Sequence, residues 1–239
     1  ALPRNLTDEG IVRYGFHGTS YEYIASVLKD YAGDAAKGRF AVAHLGNGAS
    51  ICAMVDGKSV ATTMGFTPLD GLMMGTRTGA IDPGVVLHLA EQKQMSAKDI
   101  ANLFNKESGL KGVSGISPDM RELLASSDPR AKEAVDLFCL YAARHIASLA
   151  VDMGGLDGVV FTAGIGENAP VIRQKICERL AAFGVSIDGD KNTAQGPAVH
   201  GADSKVQVYV IKTNEELMMA RHAVAAMGKK KAPPAAARR

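Results

Sequence analysis

The chain has no tryptophan, and six tyrosines and seven phenylalanines bring its aromatic content to only 5% of 239 residues. Its core must therefore be largely aliphatic. With 46% hydrophobic and 22% charged residues it has the balance of a globular protein that can bury one substantial core or two small ones. Cysteine is scarce too: Cys52, Cys139 and Cys177 are odd in number, far apart and set in apolar periodic segments. That pattern excludes a disulfide framework and suits reduced residues of a cytoplasmic protein. No apolar run approaches the length of a membrane span, and residues 1–20 lack the basic-then-apolar layout of a signal peptide. Strong net charge is also missing. The formal value is +2, and Lys229, Lys230, Lys231, Arg238 and Arg239 lie in the last eleven residues; without those five, 22 basic residues face 25 acidic ones. The body thus has no nucleic-acid-sized basic face, and neither nucleic acid nor a membrane is expected as a partner. The closing "GKKKAPPAAARR" reads as disordered. The expected division is a folded body, residues 1–222, and a basic Ala/Pro-rich tail, residues 223–239.

Along the body, "TSYEYIASVLKDYAG" predicts a helix. Thr19 and Glu22 are spaced as a capping box, Ile24, Val27, Leu28 and Tyr31 share a face, and Gly33 is the stop. A three-stranded meander follows: "RFAVAHL", the Gly46-Asn47-Gly48 turn, "ASICAMV", the hairpin signal Asp56-Gly57, and "KSVATTM". A loop-rich segment from Gly65 to Pro83 leads into a mostly helical half. There Asp128 and Pro129 open a helix with Val135, Phe138, Cys139, Ala142, Ile146 and Leu149 on one stripe, ending at Gly154-Gly155. The strand "GVVFTA", a glycine turn, a helix with Ile172, Ile176, Leu180 and Phe183 inside, the strand "KVQVYVI" and a helix with Thr213 and Glu216 as a second capping box complete the body. An antiparallel meander followed by alternating strands and helices is an α/β pattern.

Several loops carry chemistry. In "FTAGIGENAP", Gly164, Gly166 and Ala169 fit the spacing of a dinucleotide fingerprint, with Asp188 where a ribose-binding acid would stand; an NAD-dependent oxidoreductase is one reading. Against it, only two strand candidates follow the turn, and Glu167 puts a carboxylate where a pyrophosphate would bind. A purely structural turn is the other reading. "AHLGNGAS" is either an ordinary hairpin or a cradle whose backbone N–H groups converge on phosphate oxygens. Arg77, between glycines in "MMGTRTGAIDPG", is a solvated arginine or a clamp on carboxylate or phosphate. His17 in "YGFHGTS" precedes a helix start and is structural or beside a bound anion. Glu215 opens the last helix, as a helix-dipole carboxylate or as a group left for metal or water.

Together, "RYGFHGTS", "HLGNGAS", "MGFTPLDGLMMGTRTGAIDPG", "SGISPDMR", "GIGEN" and "TNEE", in this order from about Ile11 to Arg221, resemble the acetate kinase family, which includes the propionate kinases. The resemblance implies a ribonuclease H-like, actin-type ATPase domain of the acetate and sugar kinase, Hsp70 and actin superfamily, occupying residues 1–222. It implies ATP/ADP contacts at His44, Leu45, Gly46, Asn47 and Gly48 around the phosphates, at Asp119, Met120 and Arg121 near the adenosine, and at Gly164, Ile165, Gly166, Glu167 and Asn168. His17 and Arg77 match the family's transition-state residues and would supply positive charge; Glu215 matches its Mg²⁺ carboxylate. The implied reaction is reversible phosphoryl transfer from ATP to acetate or a similar short carboxylate. The resemblance further implies a homodimer, and it aligns the chain with the family's C-terminal portion, so that an N-terminal half is expected as partner. Propionate kinase and a non-catalytic nucleotide-binding fragment are the alternatives. Three positions depart from the family pattern: Tyr21 replaces a usual histidine, Ala163 a usual glycine and Ala80 a common aspartate.

Overall fold

The computed structural model describes residues 1–194 and 196–229. Helices α1 (Arg4–Asp8) and α2 (Gly18–Ala32) precede strands β1 (Arg39–Leu45), β2 (Ala49–Val55) and β3 (Lys58–Thr62). After a long loop come α3 (Pro83–Glu91), α4 (Ala97–Asn102), α5 (Gly109–Ser114), α6 (Met120–Ala125) and α7 (Pro129–Met153). Strand β4 (Gly158–Thr162), α8 (Ala163–Asn168), α9 (Pro170–Glu178), α10 (Gly189–Thr193), β5 (Gln207–Val210) and α11 (Glu215–Lys229) follow.

The five strands form one mixed sheet in the order β3-β2-β1-β4-β5, antiparallel among β1, β2 and β3 and parallel from β1 through β4 to β5. The Asp56-Gly57 turn has positive φ at both residues, 51° and 69°, the geometry that matches strand twist in a two-residue hairpin. Both faces of β1 are covered, which is why its sequence is nearly unbroken apolar. Ala41, Ala43 and Leu45 face a core that includes Phe138, Cys139, Ala142 and Ile146 of α7, whereas Phe40 and Val42 face Ile24 and Leu28 of α2. The parallel strands end together at one edge of the sheet, where ligand sites form in open α/β sheets.

The stripe expected on α7 is buried in full, with Asp128 accepting from Arg130 N at 2.8 Å and Pro129 at the first helical position. By length and average composition this helix could cross a membrane, but half of its most apolar window is packed inside the protein. All three cysteines are buried free thiols; burial pushes Cys139 and Cys177 up to about 12.

Several local expectations need correction. Neither capping box forms: the N-cap of α2 is His17, with no side-chain cap, and α11 is capped by Asn214, whose Oδ1 accepts from Leu217 N at 2.9 Å. Thr213 and Glu22 are drawn into tertiary bonds instead, to Ser20 and His222. Tyr31 and Phe183 are 41% and 42% exposed, at the ends of their apolar stripes. The expected tail begins too early, because α11 continues through residue 229. The rest of that tail lies outside the described residues.

Candidate active site

The turn after β1, the start of α2, the loop around Arg77 and the segments after β4 and β5 meet at the sheet edge. Residue pairing explains the first contacts. In the β1–β2 register His44 lies opposite Ser50, and both project to the α2 side. There His17 stacks on His44, with ring centroids 4.1 Å apart and planes inclined by 15°. His17 Nδ1 is 2.8 Å from Ser50 Oγ, and His44 Nδ1 is 2.9 Å from Ser20 Oγ, itself 2.9 Å from Thr213 Oγ1. Burial, with Arg77 nearby, lowers the pKa of His17; burial, with His17 nearby, lowers that of His44 to about 3. Both imidazoles are therefore neutral at pH 7, and the 3.9 Å approach of His44 Nδ1 to Glu215 Oε1 is not an ion pair. Burial and the neighbouring guanidinium thus work against the positive charge expected of His17.

Gly48 marks the centre of the arrangement. A Cβ placed there would lie 3.4 Å from His17 Nε2 and 3.6 Å from Arg77 Nη1, so both side chains border the glycine's open face. Arg77 is held by its own Nη1 donating to Pro68 O at 3.1 Å. Its loop is fastened to the hairpin tip: Gly75 N donates to Asn47 O at 3.0 Å, and any side chain at Gly75 would collide with Asn47 Oδ1. Arg77 thus reaches the site on a loop whose backbone is bonded directly to the hairpin tip.

A cavity of about 680 Å³ opens beside this point. Its walls bring together Gly46 and Asn47, Asp119, Met120 and Arg121, and Gly164, Ile165 and Asn168, three segments far apart in sequence. Asp119 caps α6 through Arg121 N at 2.8 Å and pairs with the Arg121 guanidinium, which lowers its carboxyl to about 2. Asn168 Nδ2 donates to Gly164 O at 2.9 Å. Other expected contacts are placed differently. Leu45 is fully buried in the α7-side core, so only its main chain can meet a ligand. Gly166 is buried against Phe161 and Ala43. Glu167 turns inward: one carboxylate oxygen accepts from Ala163 N at 2.8 Å and Thr213 N at 3.1 Å, with Thr162 Oγ1 at 3.4 Å. It ties the turn after β4 to the segment leading to Glu215 rather than lining the cavity.

The dinucleotide reading fails on the same geometry. "AGIGEN" is a short helix, its left-handed residue is Ala163 rather than a glycine, and Asp188 is consumed in capping α10 through Asp190 N and Lys191 N. Sequence reasoning passed over Ser20, Ser50 and Tyr21 as site residues. For Ser50 a signal existed, since it lies across the hairpin from His44.

A family model described as the acetokinase family matches residues 1–221. The chain belongs to the acetokinase family. It is 59% identical over 225 residues to the acetate kinase of Rhodopseudomonas palustris (strain ATCC BAA-98 / CGA009), covering 93% of this chain and 56% of that protein. The crystal structure of Porphyromonas gingivalis acetate kinase superposes with a TM-score of 0.88 at 39% identity, over 95% of this chain and 59% of that one. A propionate kinase from Francisella tularensis superposes with a TM-score of 0.87 at 44% identity, over 92% and 58%. The fold is that of the acetate and sugar kinase, Hsp70 and actin type, as the resemblance implied. The chain spans about half the length of the curated relatives it matches. The family model takes in residues 1–221, so the expectation of a separate N-terminal half as partner is corrected, and the matched span does not support the assignment to a C-terminal portion.

Proposed function

We propose that this site binds MgATP and transfers its γ-phosphoryl group to the carboxylate of acetate, reversibly giving acetyl phosphate and ADP. The observation that carries the reading is the convergence of His17 Nε2 and Arg77 Nη1 on the open face of Gly48, beside a cavity walled by three glycine- or turn-rich segments. The residues fit a nucleotide. Met120, Leu124, Ile165 and Val171 offer an apolar slot for a purine, and the hairpin tip has a glycine where a side chain would fill the phosphate space. They also fit Mg²⁺: magnesium needs only one or two carboxylates besides phosphates and water, and the Glu215 carboxylate stands at the site, 3.9 Å from His44 Nδ1. Glu215, with a side chain 38% exposed, would hold it, and the ion would neutralise phosphate charge.

A carboxylate is already a nucleophile, so no base is required. Its oxygen forms the bond to Pγ as the bond from Pγ to the bridging oxygen of ADP breaks, and the protein's task is alignment and charge stabilisation. Arg77 supplies fixed positive charge, and His17 donates or accepts a hydrogen bond at the transferred group. The protein acts in the cytoplasm, in line with three free thiols, and as a homodimer, which light scattering of the purified chain tests. Acetyl phosphate formation with MgATP and acetate, trapped as the hydroxamate, tests the reaction itself. Product above the no-enzyme control is expected; a folded chain that binds ATP but yields none would support the non-catalytic nucleotide-binding alternative. Running propionate alongside acetate decides between the two acyl acceptors.

A further inference from the structure

His17 is held from behind by a second shell of hydroxyls. Ser50 Oγ lies 2.8 Å from His17 Nδ1 and hydrogen-bonds Tyr21 Oη on its other side. Ser50 is fully buried and Tyr21 only 6% exposed, and among the described residues the Tyr21 hydroxyl bonds nothing but Ser50. Three polar groups thus share two hydrogen bonds away from water, and each hydroxyl has one proton to place. If Tyr21 donates to Ser50 and Ser50 donates to Nδ1, both hydroxyl protons are used. If Nδ1 carried the proton and donated to Ser50, either the Tyr21 or the Ser50 hydroxyl proton would be left buried without an acceptor, an arrangement that folded proteins avoid.

We propose that Ser50, with the Tyr21 hydroxyl donating to it, is a positioning residue that locks His17 as its Nε2–H tautomer, aiming a neutral N–H donor at the space between Gly48 and Arg77 where the kinase reading puts the transferred phosphoryl group. The assignment deepens that reading and rests on it for its functional meaning. Two further observations agree. His17 has φ 61°, a left-handed conformation that a non-glycine residue keeps only when its surroundings fix it. Burial lowers its pKa, so a donor at Nε2 must come from the tautomer rather than from an imidazolium. Tyr21 reaches Ser50 with a phenol, which has one proton and no tautomers of its own.

The test is a long-range ¹H–¹⁵N correlation spectrum of the ¹⁵N-labelled chain at pH 7.5, with His17 identified among the six histidines by its loss in His17→Gln. The wild type should give the Nε2–H pattern, and so should Tyr21→Phe, where the Ser50 proton still has only Nδ1 to accept it, whereas Ser50→Ala should populate both tautomers. In the hydroxamate assay Ser50→Ala should lower kcat on the order of tenfold with KM for MgATP unchanged, less than outright loss of a transition-state donor, which costs about a hundredfold or more. An Nδ1–H pattern in the wild type, or an unaltered tautomer in Ser50→Ala, overturns the proposal. The spectrum needs no turnover, so a chain without kinase activity refutes the kinase reading while the tautomer still decides the relay. Should Ser50→Ala fail to fold, the wild-type spectrum decides.

Discussion

At the scale of single residues, two side chains carry the chemistry and one carries strain. Removing Arg77 or His17 by substitution to alanine should raise the barrier to phosphoryl transfer by about 2.7–4 kcal/mol, by analogy with the loss of an oxyanion donor. The hydroxamate assay measures it, and unchanged turnover in either variant of an active chain removes that residue from the mechanism. Ala163 is the strained one. Its φ of 64° is costly for any residue with a Cβ. Ala163→Gly should raise stability by up to about 1 kcal/mol, seen as a higher urea midpoint with an unchanged slope. His17 and Arg77 could be picked out in the sequence because their loops lacked periodicity and carried glycines. The protonation of His17 could not, because it depends on Ser50 and Arg77, 33 and 60 positions away.

At the scale of elements, the hairpin and α7 were legible to the residue or nearly so. Their periodicity, the Asp56-Gly57 turn and the Asp128-Pro129 cap all favour the same local structure. The capping boxes were not, since Thr213 and Glu22 find partners in other elements that local spacing cannot reveal. Nor was Arg173 of α9, which has no exposed surface and joins α8 to α10. It donates to Gly166 O at 2.8 Å, Glu167 O at 2.9 Å and Asn192 Oδ1 at 2.7 Å, fixing the helix that walls the cavity. Replacing it with leucine strands those buried acceptors. Arg173→Leu should destabilise the protein on the order of 3 kcal/mol, measured by denaturant unfolding, and weaken ATP binding in what still folds. A loss under half a kcal/mol would contradict this structural role.

At the scale of the molecule, order along the chain was enough to read an α/β architecture, and six dispersed motifs were enough to read the family. How the motifs assemble depends on sheet topology: β1 and β4 are neighbours although more than a hundred residues separate them, and their shared edge makes one site out of distant turns. The same assembly sets the response to acid. Burial lowers the folded-state pKa of His17, His44 and His145 below the ordinary value of about 6.5. Between that value and the folded pKa, about 3 for His44, the unfolded chain binds more protons, so stability falls as pH is lowered through this window. Denaturant midpoints should therefore decline below about pH 6.5, ahead of the carboxylates; a flat profile down to pH 4 would contradict burial of these rings in the neutral form. The most direct measurement of the whole account is isothermal titration of the purified chain with MgATP, beside Gly48→Val. Gly48 has no positive φ, and a Cβ there would make ordinary van der Waals contact with His17 and Arg77, so a side chain there should leave the fold intact while filling the phosphate cradle. The account predicts saturable MgATP binding by the wild type and its loss in a folded Gly48→Val. No binding by the wild type, or equal binding by both, would contradict a nucleotide site at this turn.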